Sequence, residues 1–112
     1  MLHEPAYVFD MRHHGAYAVV RAVGDLDIAA VPRLREWVRR GERRSPRVVV
    51  DLRAVAFMDT FVLRALIELQ RDADASDQWS LHLVPGANIQ RLLDLAGGRD
   101  ELRWIAPEQL AR

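Results

Sequence analysis

Residues 47–60, Arg-Val-Val-Val-Asp-Leu-Arg-Ala-Val-Ala-Phe-Met-Asp-Thr, decide the fold class of this chain. The first six are rich in β-branched side chains and almost continuously apolar, which is typical of a strand covered on both faces. Such strands have parallel neighbours, so residues 47–52 are predicted to form the central strand of a sheet. Phe57 to Thr60 then lead into an apolar stripe with helical spacing, and a helix is predicted to continue to about Ala73.

The patterns on either side of this stretch alternate between strand and helix. Upstream, two β-rich runs flank a turn with Gly15, which predicts a hairpin, and Pro32 fits the first turn of an amphipathic helix. The predicted elements are, in chain order, strands 7–9 and 17–23 (ended by Gly24 and Asp25), a helix from Val31 to a stop at Gly41, strand 47–52, the helix to Ala73, strand 79–84, helix 89–96, strand 103–105 and a helical turn 107–110. This order predicts an α/β fold with a four- to five-stranded mixed sheet flanked by about four helices.

The composition is that of an ordinary globular domain. The chain has 112 residues, of which half are hydrophobic and 29% are charged, so a single domain over residues 1–112 is expected. No apolar run approaches the roughly 20 residues of a membrane-spanning helix, and no charged-then-apolar leader opens the sequence. Cysteine is absent, which excludes disulfides and thiolate metal sites. We therefore expect a soluble, cytoplasmic protein without membrane insertion.

The charge balance argues against nucleic acid as a direct partner. Sixteen acidic residues balance sixteen basic ones, so the net charge does not favour a polyanion. An arginine cluster, Arg39, Arg40, Arg43 and Arg44, is predicted at the end of a helix. It either complements the helix dipole or forms a patch for an acidic partner.

The sequence contains no pattern that predicts catalysis or a cofactor. The serines lack a nucleophile-elbow context, and neither a Walker A sequence nor Gly-x-Gly-x-x-Gly is present. The four histidines, including the adjacent His13 and His14, lack metal-ligand spacing. No catalytic residue, cofactor or metal is therefore predicted.

Asp59 and Thr60 are the residues where a functional site is predicted. A strand that runs directly into a helix leaves a carboxylate and a hydroxyl at a helix N-terminus, where free amide groups favour anions. A phosphate on Thr60 would add a charge of about −2 and change what the surface binds. Ser, Thr and Asp are also ordinary N-cap residues, so Thr60 could serve only as a helix cap.

Several segments in register resemble the STAS domain, the fold of bacterial anti-sigma factor antagonists. Gly24-Asp25-Leu26-Asp27 is similar to the family's Gly-Glu-Leu-Asp loop, and Val48-Val49-Val50-Asp51-Leu52 to its central strand. Phe57-Met58-Asp59-Thr60 resembles the start of its Asp-Ser-Ser-Gly phosphorylation motif. Leu81-His82-Leu83-Val84-Pro85 and the helix with Ile89, Leu92 and Leu93 that ends at Gly97 continue the match, which covers nearly the whole chain.

The resemblance implies an antagonist that binds a GHKL-type anti-sigma factor, which is also a kinase, and so frees a sigma factor. By residue-to-residue matching, Thr60 is the phosphoacceptor, Asp59 the preceding motif acid and Asp27 a loop acid near it. Phosphorylation of Thr60 is then expected to break the complex, since a dianion beside two acids repels an acidic or apolar partner. The expected partner-binding residues are Asp25, Asp27, Asp59, Thr60, Phe61, Val62 and Arg64, on a monomer or weak homodimer.

Phe61 and Val62 depart from the motif. They stand where the family usually has a second Ser or Thr and a Gly, and they form a contact patch if they face outward or part of the core if they face inward. The alternative function is a constitutive STAS binding subunit of another complex, such as a lipid-transport ABC system, without a phosphoswitch. A small-molecule or nucleotide-binding STAS domain would need a polar pocket, which the sequence does not locate.

Overall fold

The computed structural model describes residues 6–111 and places them in four strands, three α-helices and three short 3-10 turns. The strands are β1 (Tyr7–His14), β2 (Tyr17–Leu26), β3 (Arg47–Met58) and β4 (Ser80–Val84). The helices are α1 (Val31–Arg44), α2 (Thr60–Asp74) and α3 (Ala87–Ala96), and the 3-10 turns cover Ile28–Ala30, Arg99–Glu101 and Pro107–Ala111. The predicted α/β class is confirmed.

The strands form one mixed sheet in the order β1-β2-β3-β4. β1 and β2 form the predicted antiparallel hairpin, whereas β2, β3 and β4 are mutually parallel. β3 lies between two parallel neighbours, as its β-branched sequence predicts.

The two faces of the sheet are covered differently. The three α-helices share the main core with one face, which includes the fully buried leucines Leu26, Leu34, Leu52, Leu66, Leu69, Leu81 and Leu83. The other face has a smaller cluster, in which Leu110 of the last 3-10 turn packs with Val19, Val49 and Val84. Most of the apolar burial is therefore on the helical face.

Strand β3 extends six residues beyond the predicted end at Leu52. Its pairing with β4 ends at Asp51, whereas its pairing with β2 continues to Met58. The second half of the strand has a neighbour on one side only, and Arg53 and Ala54 are exposed there. The β-branched, continuously buried run therefore ends while the hydrogen-bonded ladder continues.

Two glycines that were expected to end elements lie inside them. Gly24 has a φ of +98° at a bulge within β2, and a Cβ there would lie 2.3 Å from the Ala6 carbonyl oxygen. Gly41 lies inside α1, where a Cβ would approach Val48 Cγ1 to 3.1 Å. Both predicted stops are wrong: Gly24 supplies a positive φ, and Gly41 lets α1 pack closely against the sheet.

The C-terminal region is less regular than its sequence pattern predicts. The strand expected over residues 103–105 is reduced to one parallel bridge between Leu83 and Trp104, and the final helical turn is 3-10. The sheet accordingly has the smaller of the two expected strand numbers. Within residues 6–111, no helix combines the length and apolar character needed to cross a membrane.

Candidate partner-binding site

The site is built at the junction between β3 and α2. Asp59 has extended backbone torsions, and its carboxylate Oδ1 accepts a hydrogen bond from the Val62 amide at 3.1 Å. This geometry makes Asp59 the N-cap of α2 and satisfies one of the amides that a helix start leaves free. Asp59 thus holds the first turn in place.

Thr60 is the first residue of α2 and is exposed. The cap is supplied by Asp59, so helix capping does not account for a hydroxyl at position 60. Thr60 lines one end of a groove of about 600 Å³ between α2 and the segment that follows α3. Its side chain is therefore accessible from solvent.

The end of β2 and the turn that follows it lie directly beside this junction. Leu26 is paired with Met58 in the parallel ladder, and the Asp59 amide donates to the Leu26 carbonyl at 3.1 Å. Asp25 and Asp27, on either side of Leu26, are exposed. The parallel pairing of β2 and β3 thus brings the loop acids next to the helix start.

Asp27 also has a local structural role. Its Oδ1 accepts a hydrogen bond from the Ala29 amide at 3.0 Å and caps the 3-10 turn over Ile28–Ala30. A residue of this type at this position fixes the direction in which the loop leaves the sheet.

Phe61 and Val62 lie in different environments. Phe61 is 50% exposed, whereas Val62 is fully buried among the core residues. The structure removes Val62 from the predicted partner-binding set, because a side chain without accessible surface contributes to the core and not to a contact. Of the two residues, only Phe61 faces outward and can belong to a contact patch.

Arg64 lies one turn after Thr60 on the exposed face of α2, and both residues line the same groove. Its guanidinium lies 5.9 Å from the centre of the Phe61 ring, within the range of a cation–π contact. The groove's other arginine, Arg71, pairs with Glu101 at 3.5 Å. Within residues 6–111, Arg64 forms no ion pair, and its charge is free to meet an incoming group.

Two exposed apolar side chains at this end of the sheet were not predicted as site residues. Ile28 is 56% exposed and Phe57 is 52% exposed. Phe57 is paired with Asp25 on β2, and Ile28 follows Asp27 directly. We call the exposed residues of this region the docking surface: Asp25, Asp27, Ile28, Phe57, Thr60, Phe61 and Arg64. Its exposed phenylalanines and its arginine are residue types that are enriched in protein contacts, and its acids are compatible with a polar rim.

Half of the arginine cluster on α1 is engaged within the chain. Arg39 pairs with Glu42 at 3.2 Å and Asp72 at 3.1 Å, while Arg40 pairs with Glu36 at 2.7 Å. Arg40 also stacks on Trp37 at 4.8 Å. Across residues 6–111, no group of three or more His, Asp or Glu side chains is arranged to hold a metal ion.

The mixed sheet, the helices on its main face and the strand-to-helix site together define a STAS-type α/β domain. A family model of the STAS domain matches residues 8–108. The chain therefore belongs to the STAS domain family.

Comparison with solved structures gives the same fold. An anti-sigma factor antagonist from Mycobacterium paratuberculosis matches with a TM-score of 0.78 at 21% identity, over 97% of this chain and 95% of that one. The anti-sigma factor antagonist SpoIIAA of Bacillus, in its unphosphorylated form, matches with a TM-score of 0.68 at 17% identity, over 91% of each chain.

The same fold forms part of a larger protein. A murine anion transporter of the solute carrier 26 family matches with a TM-score of 0.67 at 16% identity, over 86% of this chain but 17% of that one. Comparison with curated protein sequences found no match. At 16–21% sequence identity, these structural similarities establish the fold alone. The function has to be inferred from the residues of the site.

Proposed function

We propose that this protein is a non-enzymatic, cytoplasmic bacterial regulator of the anti-sigma factor antagonist type, which binds a GHKL-type anti-sigma factor and kinase through the docking surface. The observation that carries the proposal is the separation of roles at the start of α2. Asp59 caps the helix, which leaves the exposed Thr60 hydroxyl available to a kinase. The structural similarity to anti-sigma factor antagonists supports an anti-sigma factor as the class of partner.

Thr60 is the candidate switch of this complex. Transfer of the γ-phosphoryl group from a nucleoside triphosphate to Thr60 Oγ1 would release the nucleoside diphosphate and the hydroxyl proton. The product would carry a charge of about −2 beside Asp59 and close to the loop of Asp27. An apolar or acidic partner surface is then repelled.

The test uses affinity capture from the source cell's lysate with the wild-type chain, Thr60→Ala and Thr60→Glu. We expect wild type and Thr60→Ala to capture the kinase and Thr60→Glu to lose it. Thr60 is the sole threonine of the chain, so phosphothreonine found by mass spectrometry identifies the site without mapping. Gln78→Glu adds the same charge at an exposed position near the other end of α2 and should behave as wild type. Equal capture by Thr60→Ala and Thr60→Glu contradicts the switch.

A second candidate, a constitutive binding subunit of another complex, is favoured by one observation. Phe61 is half exposed directly beside Thr60 and would stand in the path of a kinase active site. In this function Phe61 is a permanent contact and Thr60 is never modified. Capture of a transport ATPase together with unmodified Thr60 would select this function over the first.

A further inference from the structure

The face of the sheet opposite the helices carries a cavity that the docking surface does not use. The cavity measures about 510 Å³, and we call it the arginine basin. The lining residues used below are Arg12, Val19, Arg21, Asp51, Arg53 and Leu110. Val19 and Leu110 belong to the small cluster on this face, so the basin lies outside the main core.

Arg53 is fixed in place at one side of the basin. Its Nε and Nη2 donate to the two carboxylate oxygens of Asp51 at 3.0 and 2.8 Å, and the Asp51 side chain is 7% exposed. Burial opposes ionisation of Asp51, but the hydrogen bonds from the Arg53 side chain and backbone outweigh it and lower the pKa of the carboxyl. The pair is therefore ionic at neutral pH, with further guanidinium donors of Arg53 still unused.

Arg21 is only partly satisfied by its neighbours. It lies opposite Asp10 on β1 and Asp51 on β3 in the strand register. Its Nε is 3.7 Å from Asp10 Oδ2, beyond hydrogen-bond distance, and is buried without an acceptor within residues 6–111. Because this Nε has almost no accessible surface, a ligand in the basin would meet the rest of the guanidinium, on a side chain that is 42% exposed.

Arg12 has no acid opposite it. Its register partner on β2 is Val19, and Arg12 forms no ion pair with any residue the structure describes. Glu108, which follows the lining residue Pro107, interacts electrostatically with Arg53. The acids therefore gather around Arg53 and Arg21, and the Arg12 side of the basin keeps an uncompensated positive charge.

We propose that the arginine basin binds a small organic anion, whose carboxylate or phosphate group is held by Arg12 and Arg21 and whose apolar body lies on Val19 and Leu110. Guanidinium groups match the planar or tetrahedral oxygens of such anions. The cavity volume falls within the range of small-ligand pockets. A cross-strand charge ladder explains the pairing of Asp51 with Arg53 and the approach of Arg21 to Asp10, but it does not explain the unpaired Arg12 at the same cavity.

The test is an NMR titration of the isotopically labelled full chain with phenyl phosphate and, in parallel, benzoate, which separate the two head groups. Two control compounds each lack one half of the ligand: phenol lacks the anionic group, and inorganic phosphate lacks the apolar body. We expect millimolar phenyl phosphate or benzoate to shift the amides of Arg12, Val19 and Leu110, and the two control compounds to bind more weakly. Equal binding of inorganic phosphate would contradict the organic class.

Arg12→Gln is expected to weaken binding by about tenfold or more, since a charge-assisted hydrogen bond is lost. Arg12 is exposed on the edge strand β1, so the variant should fold, and the dispersion of its amide signals will show whether it does. Arg21→Gln is expected to lower the affinity independently. Arg33→Gln removes the same charge from an exposed position on α1 and should leave the affinity unchanged. Absence of shifts in the basin, or equal weakening by Arg12→Gln and Arg33→Gln, overturns the proposal.

Discussion

Phe61 and Val62 are adjacent at the start of α2, but their side chains differ strongly in solvent exposure. Successive helical side chains point about 100° apart, so Val62 enters the core while Phe61 remains half exposed. The large side chain of Phe61 is thus placed on the surface at the cost of leaving apolar area in water. A partner that covers the ring would recover that cost.

Phe61→Ser is therefore expected to weaken binding of the captured partner by about 2 kcal/mol or more, the contribution typical of a buried aromatic anchor. Isothermal titration calorimetry with the purified partner measures the change. Val8→Ser is the matched control, because Val8 is 53% exposed on β1 and lies outside the docking surface. An unchanged affinity of Phe61→Ser would remove Phe61 from the interface while leaving the Thr60 switch open.

Arg64 is expected to hold a phosphate on Thr60. Residues four apart lie one above the other on a helix, and an acid that precedes an arginine in this spacing is the favourable orientation. The acids of the docking surface lie at the loop beside Asp59, so a phosphate should turn toward Arg64 and the groove that both residues line. Arg64 would then leave the Phe61 ring, and the modification would change the apolar part of the surface as well as its charge.

This pairing predicts the proton affinity of the modified residue. In protein made with phosphothreonine at position 60, Arg64→Gln should raise the second pKa of the phosphate by about 0.3 of a pH unit, since an exposed pair of this spacing is worth about 0.3–0.5 kcal/mol. A phosphorus NMR pH titration measures it. Arg71→Gln is the control, because Arg71 lines the same groove but pairs with Glu101. Equal effects of both substitutions would mean that Arg64 acts only through general charge.

At the scale of elements, the type of most strands and helices could be predicted, because apolar periodicity follows directly from burial. The strand 47–52 and the helix after Asp59 are examples. Periodicity does not report hydrogen bonding, however. The second half of β3 pairs with β2 alone, and its apolar residues have neither the β-branched run of the first half nor the alternating burial of a half-covered strand. The role of Gly41 depends on the proximity of Val48, which no local pattern contains.

The candidate site was predictable only in part for the same reason. The helix cap is a local feature, and the sequence placed it at Asp59 or Thr60. The hydrogen bond from the Val62 amide assigns it to Asp59. The contact between the Asp27 loop and Asp59 needed the parallel pairing of β2 with β3, which the family resemblance implied. Ile28 and Phe57 were missed, because an apolar side chain shows its exposure only when the surrounding tertiary structure is known.

At the scale of the whole molecule, the sheet separates two kinds of chemistry. The helical face holds the apolar core and ends in the docking surface, whereas the opposite face carries charged pairs, of which Asp51 with Arg53 is the most buried. Asp51 and Arg53 lie on the central strand β3. The charged pairs on this face should therefore make a measurable contribution to the free energy of unfolding.

The buried Asp51 carboxylate predicts how the stability of the fold depends on pH. Burial opposes its ionisation, but the Arg53 hydrogen bonds prevail and the pKa in the folded state is below the ordinary value of 3.8. A lowered pKa gives stability that is fully present above the ordinary value and is lost as the pH falls through the folded-state pKa. Asp51→Asn removes the ionisable group and should cost about 1 kcal/mol at neutral pH.

Urea unfolding of wild type and Asp51→Asn between pH 7 and pH 2 isolates this contribution from the other carboxyl groups. The difference in unfolding free energy should be constant above about pH 4 and shrink below it, since protonation then removes the charge from wild-type Asp51 as well. Asp77→Asn, at an exposed acid, should show a small difference throughout. A difference for Asp51→Asn that stays constant down to pH 2 would assign its effect to packing and hydrogen-bond geometry, and the ionic role of Asp51 on this face of the sheet would be wrong.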